Sequence, residues 1–133
     1  GEFCDDMDTP SWSFVEAGNC VVLRTFSKAY GLAGLRVGWG VFPLDIAREL
    51  GKVLNPNGIA SVSQAAALAA LEDQDYMHAT CETTANLRVQ CVTTLRGAGF
   101  SAVPSHTNFV MIDCGDAAQA EKLCAHLSER GII

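Results

Sequence analysis

A short apolar run, Cys20-Val21-Val22-Leu23, leads within a few residues into a tract carrying a glycine every two to four positions, at Gly31, Gly34, Gly38 and Gly40. No other feature constrains the fold as tightly. The run has the length and composition of a strand buried on both faces. Glycines so placed allow close backbone approach and dihedrals that other residues avoid. Together they predict a buried strand that delivers the chain to a site loop, whose polar residues include Thr25, Ser27, Lys28 and Arg36.

Helical periodicity governs most of the chain beyond Gly40. Ile46, Leu50, Val53 and Leu54 fall at i, i+4, i+7 and i+8, an amphipathic helix entered through Pro43 and ended by Asn55-Pro56-Asn57-Gly58. Ser61 or Ser63 is the predicted cap of the alanine-rich run 64–71. Tyr76, Thr80, Thr84, Leu87, Cys91 and Leu95 mark a longer helix stopped by Gly97 and Gly99. Residues 100–103 and 108–112 read as strands joined by Pro104-Ser105-His106-Thr107. Asp116 with Gln119 reads as a capping box, opening a helix whose apolar face is Ala120, Leu123, Cys124 and Leu127. Ahead of the first strand, residues 5–19 predict a loop with a short helical turn and buried Trp12 and Phe14. The order suits the second half of an α/β enzyme with a small C-terminal domain beginning inside the long helix.

Of the 133 residues 49% are hydrophobic, enough for one domain-sized core. Nine Lys and Arg against fifteen Asp and Glu leave a net charge of −6, which excludes an electrostatic footprint for nucleic acid. No apolar stretch approaches the roughly 18 residues of a membrane span, and no basic-then-apolar leader opens the chain, so neither a membrane partner nor export is expected. The six cysteines show no CxxC or Cys/His spacing, which predicts reduced thiols in a cytoplasmic setting and no metal site. His78, His106 and His126 are expected in surface or structural roles, and Asp5, Asp6 and Asp8 in a solvated loop. The absence of an initiator Met and the ending Gly131-Ile132-Ile133 suggest a piece of a longer polypeptide.

The chemistry centres on Lys28. Two hydroxyls, a guanidinium and a lysine could converge on one phosphorylated ligand, since charge-assisted and bidentate hydrogen bonds suit a phosphate dianion. A lysine beside that anion, its charged form disfavoured by burial, is a Schiff-base candidate. The plainer alternative makes Lys28 a surface lysine and Arg36 a structural ion-pair partner. Neither GxxxxGK[ST] nor GxGxxG occurs, so nucleotide binding has no motif behind it.

The stretch Leu23-Arg-Thr-Phe-Ser-Lys28-Ala-Tyr-Gly-Leu-Ala-Gly-Leu-Arg36-Val-Gly-Trp39 resembles the active-site segment of the fold-type I, class I/II pyridoxal-phosphate aminotransferases, and within them most of all the histidinol-phosphate aminotransferase subfamily. Ser63-Gln64 through Asp73, Gly99-Phe100, Pro104-Ser105 and Asn108-Phe109-Val110 extend the resemblance along most of the chain. It implies an α/β fold: the end of the large cofactor-binding domain over residues 1–80, then part of a small α+β C-terminal domain over 81–133. It implies that Lys28 is the catalytic Schiff-base lysine of pyridoxal 5'-phosphate, and that Thr25, Ser27 and Arg36 bind the cofactor phosphate. The implied reaction is ping-pong transamination between a small-molecule amino donor and an oxo acceptor. The implied pair is histidinol phosphate with 2-oxoglutarate, in histidine biosynthesis. Aromatic aminotransferases and threonine-phosphate decarboxylase are the near alternatives, and a truncated, non-catalytic chain is the alternative of another class. The family's Asp and Tyr partners of the cofactor ring would precede Gly1 and its substrate arginine would follow Ile133, so the isolated chain is expected to be inactive and the parent protein a homodimer. Asn108 and Phe109 match a stretch near the family's active site, although a strand asparagine also serves to satisfy backbone groups. Tyr30 and Trp39 are expected to pack.

Overall fold

The computed structural model describes residues 2–4 and 12–133, with only the backbone of Trp12. The acidic cluster Asp5, Asp6 and Asp8 and the side chain of Trp12 lie outside the described residues. A short helix, α1 (Trp12–Glu16), precedes β1 (Val22–Thr25), which pairs antiparallel with β2 (Gly38–Val41) in the register Val22↔Val41 to Thr25↔Gly38. The strand expected to be buried on both faces is covered on one only. Val22 is buried while Leu23 is 65% exposed, because a two-stranded ribbon shields one face and side chains alternate between faces. Phe14, expected inside, is half exposed.

The 12 residues between the paired ends fold back on a small core of their own. Phe26, Val37 and, from α3 (Ser61–Glu72), Ala67 are buried together, with Tyr30, Leu32 and Leu35 packed around them. A 3-10 turn at Ala33–Leu35 shortens the path. The Phe26 amide donates to Val37 O at 3.2 Å, and Leu32 N donates to Phe26 O at 2.9 Å.

Next, α2 (Leu44–Val53) forms where periodicity placed it, but its apolar stripe is open: Val53 is 79% exposed and Leu54, just beyond, 63%. The Asn55 side chain accepts from the Asn57 amide in the turn that ends it. Neither Ser61 nor Ser63 caps α3. The N-cap is Ala60, without a side-chain bond, and Ser63 is buried in the first turn. The long helix, α4 (Gln74–Gly97), contributes its first turns to one compact unit, Gly1–Thr83, and the rest to a second, Thr84–Ile133. In the first unit Cys81 Sγ reaches Glu2 O at 3.2 Å.

In the second unit the expected strand pair contracts to β3 (Ser101–Ala102) and β4 (Ile112–Asp113), antiparallel, with Asn108–Val110 in the connecting loop rather than in a strand. Pro104 supplies no amide to a ladder, and Ser105 and Thr107 bond to each other and to the local backbone instead. Asp116 caps α5 (Ala117–Ser128) as its spacing predicted, accepting from Gln119 N at 2.8 Å. Among the described residues no helix is long and apolar enough to cross a membrane.

Substitutions at the ladder and at the cap have defined outcomes. A Cβ at Gly38 would sit 2.6 Å from Arg24 O across the ladder. Gly38→Ala therefore costs about 1–3 kcal/mol, as overpacked sites do, visible as a lowered urea midpoint. The Gln119 backbone amide, then its side chain, holds the Asp116 carboxyl below its ordinary 3.8. A carboxyl whose value is depressed by folding contributes stability that is complete above the unfolded value and lost as pH falls through the folded one. The order of α5, followed by the Gln119 amide resonance, should fade in that acidic range, and Asp116→Ala should remove the dependence.

Candidate active site

Alternation about Phe26 positions the polar residues of the loop. The phenylalanine points into the core at 4% exposure, so its neighbours Thr25 and Ser27 turn away from it. Their hydroxyls meet at 2.8 Å, and the Ser27 amide donates to Thr25 Oγ1 at 3.0 Å. Ala29 is the second anchor at 1% exposure, leaving Lys28 on the outside between Ser27 and a buried residue. The Phe26 and Tyr30 rings pack at 4.9 Å, tilted by 45°, within the range of attractive ring pairs.

A turn closes behind the lysine. Gly31 N donates to Lys28 O at 2.9 Å, and Gly31 takes φ +69°. Tyr76, from α4, lies directly over it: a Cβ on Gly31 would stand 3.1 Å from the phenol oxygen. Periodicity marks Tyr76 only as a helix-face residue, and no signal in the sequence points from it to Gly31, 45 positions earlier.

On the returning limb Arg36 adopts the left-handed conformation, φ 51° and ψ 47°, alone in this respect among the described non-glycine residues. Such a backbone costs an ordinary side chain about 1–2 kcal/mol. Its exposed guanidinium is braced by NH1 donating to Ala33 O at 2.8 Å. The hairpin thus carries Thr25, Ser27 and Lys28 on one limb and Arg36 on the other, two residues before the last ladder pair, Thr25↔Gly38. Hydroxyls and a fork-shaped cation are donor types that suit a tetrahedral oxyanion. One expectation is corrected: Lys28 is exposed, so this chain does not bury its amine.

Among the other residues singled out from the sequence, His78 and Trp39 belong to the first unit and His106 and His126 to the second. His78, His106 and His126 are exposed, Trp39 is 43% exposed, and Asn108 and Phe109 belong to the second unit.

Comparison with known proteins yields three findings. The family model for class I and II aminotransferases matches residues 1–133. The aromatic amino acid aminotransferase of Mycobacterium tuberculosis H37Rv is 44% identical over 116 residues, covering 86% of this chain and 33% of the relative, and that of Mycobacterium sp. KMS is 49% identical over 94 residues, covering 71% and 26%. The crystal structure of histidinol-phosphate aminotransferase from Sinorhizobium meliloti, in complex with pyridoxal-5'-phosphate, superposes with a TM-score of 0.86 at 36% identity, over 99% of this chain and 37% of that one. The chain spans about a third of the length of the curated relatives it matches.

The strained arginine gives a prediction that separates side chain from backbone. Arg36→Gly should raise the stability of the chain by about 1 kcal/mol by relieving the left-handed strain, while weakening retention of inorganic phosphate at the hairpin. Thermal melts with and without phosphate read both.

Proposed function

This chain belongs to the aminotransferase class I and II family, and we propose that it supplies the cofactor-binding lysine segment of a pyridoxal-phosphate-dependent aminotransferase. The observation that carries the reading is the single hairpin loop holding the Thr25–Ser27 hydroxyl pair, the exposed Lys28 and the strained Arg36. The donor set fits the group. The hydroxyls and the guanidinium suit its phosphate, and the neighbouring amine is of the type that bonds an aldehyde.

Bound pyridoxal phosphate supplies an aldehyde that captures amines and a ring that draws electrons from the substrate's α-carbon. The residues of this chain do the rest of the local work. The Ser27 hydroxyl would donate to the phosphate, the Thr25 hydroxyl would join it once it turns from Ser27, and the Arg36 fork would serve the same anion. Lys28 Nζ would hold the cofactor through its aldehyde, and the same amine would serve as the base and acid that moves the substrate's α-proton. A base must present a free lone pair, so the amine would act in its neutral form.

For the substrates, we keep a small amino donor and an oxo acceptor, with 2-oxoglutarate as acceptor. Histidinol phosphate, in histidine biosynthesis, is the reading carried from the lysine segment and supported by the superposition. An aromatic amino acid is the second reading, favoured by the higher identity to the mycobacterial relatives. In the same proposal residues 1–80 end the large domain and 81–133 begin the small one, in a cytoplasmic homodimer.

Reduction with borohydride in the presence of pyridoxal phosphate, followed by peptide mapping, tests the site, because the chain holds only Lys28, Lys52 and Lys122. Selective labelling of Lys28 is expected, with loss of labelling in Thr25→Val/Ser27→Ala. Equal labelling of all three lysines would overturn the assignment. With the complete enzyme, the ratio of kcat/KM for histidinol phosphate to that for phenylalanine decides between the two substrates.

A further inference from the structure

A cationic hollow lies wholly in the unit Thr84–Ile133. Its floor is the last part of α4, where Arg88, Val92 and Arg96 recur at i, i+4 and i+8, with Val89 and Thr93 beside them. Its wall is the loop after β3, through Pro104, Ser105 and His106, and the space between is about 270 Å³. Both arginines are fixed by backbone carbonyls at the two ends of that loop. Arg96 donates from Nε at 3.1 Å and from NH2 at 2.8 Å to Ala102 O, and Arg88, 9% exposed, donates from NH1 at 3.1 Å to Thr107 O.

These bonds orient the guanidinium of Arg96 without neutralising it. A carbonyl carries no charge, three of the five N–H groups remain after the bonds to Ala102, and among the described residues no carboxylate lies within ion-pair distance of Arg96. The carboxylates of the unit, Asp113, Asp116, Glu121 and Glu129, lie on β4, at the α5 cap, along α5 or at its end, and none lines the hollow. His106 adds an imidazole, which can donate from a ring N–H, and Thr93 and Ser105 add hydroxyls.

We propose that this hollow binds a small tetrahedral oxyanion, a phosphate group that is either the free ion or one end of a phosphomonoester. An oriented fork, an imidazole N–H and two hydroxyls form the donor set that phosphate recognition uses, and a planar monocarboxylate leaves part of it unmet. The site is independent of Lys28 and of the function proposed above.

The test is NMR titration of the chain with inorganic phosphate at constant ionic strength. Saturable shifts are expected at the Arg96 Nε–H and at the amides of Ser105, His106 and Thr107, and they should persist in Arg36→Gln, which disables the other oxyanion site. Arg96→Gln should weaken the response by about tenfold or more, the effect of losing a charge-assisted bond. His106→Glu, a change at an exposed position that leaves the Ala102 bonds intact, should abolish it. Methyl phosphate in place of phosphate tells the sources apart: an equal response means an ester is admitted, and a response to the free ion alone means it is not. Equal shifts with acetate, or shifts indifferent to both Arg96→Gln and His106→Glu, would overturn the proposal.

Discussion

Burial of the Phe26 ring is the interaction on which the candidate site depends. Removing a phenylalanine side chain from water contributes about 1.5–3 kcal/mol, a large share for a core cluster in which, among the described residues, Val37 and Ala67 are buried beside it. Because the ring sits between Thr25 and Ser27, its inward direction turns both hydroxyls outward together. Ala29 repeats the device on the far side of Lys28. An apolar anchor on each side of the polar residues lets a loop of 12 residues present a lysine without a surrounding sheet.

Backbone constraints complete what the anchors begin. Gly38 admits the carbonyl of Arg24 at a distance that no Cβ would tolerate, so the hairpin closes at one register. Closure at that register sets where the returning limb starts, and Arg36 bears the strain by adopting a conformation that glycine would take without cost. A residue retained in that state is best understood through its side chain, and here the side chain is the fork-shaped cation of the oxyanion set. The second unit uses arginine differently. Arg88 and Arg96 tie α4 to the loop after β3 through backbone carbonyls, and such a bond leaves the charge of Arg96 in place at a surface hollow.

The helices are legible in the sequence because their signals are local. The periodicity from Tyr76 to Leu95, the glycines beyond it, and the Asp116–Gln119 pair each act within one or two turns, and the structure has the corresponding helices and cap. The strands are legible only in outline. Asn108–Val110 has the composition of a strand, but Ser105 and Thr107 draw the loop into bonds with its own backbone and leave a two-residue ladder. Ser63 has the composition of a cap, yet it is buried one turn in, because helix entry is decided at Ala60. Apolar patterning marks Leu23 and the α2 stripe as surfaces that seek cover, and it carries no information on whether this chain provides that cover.

Residue type and near spacing suffice for the chemistry and its order along the chain: a lysine preceded by two hydroxyls, an arginine eight residues on, glycines between them, and helices after. Such properties need no contact partner to be read. Folding in three dimensions adds the rest, namely that the two hydroxyls share a hydrogen bond, that Arg36 stands in the left-handed region, that Tyr76 covers Gly31, and that Lys28 is exposed. The cover of Gly31 by Tyr76 depends on contact between residues far apart in sequence, and the others on a balance of burial against strain that is struck only once the chain has closed.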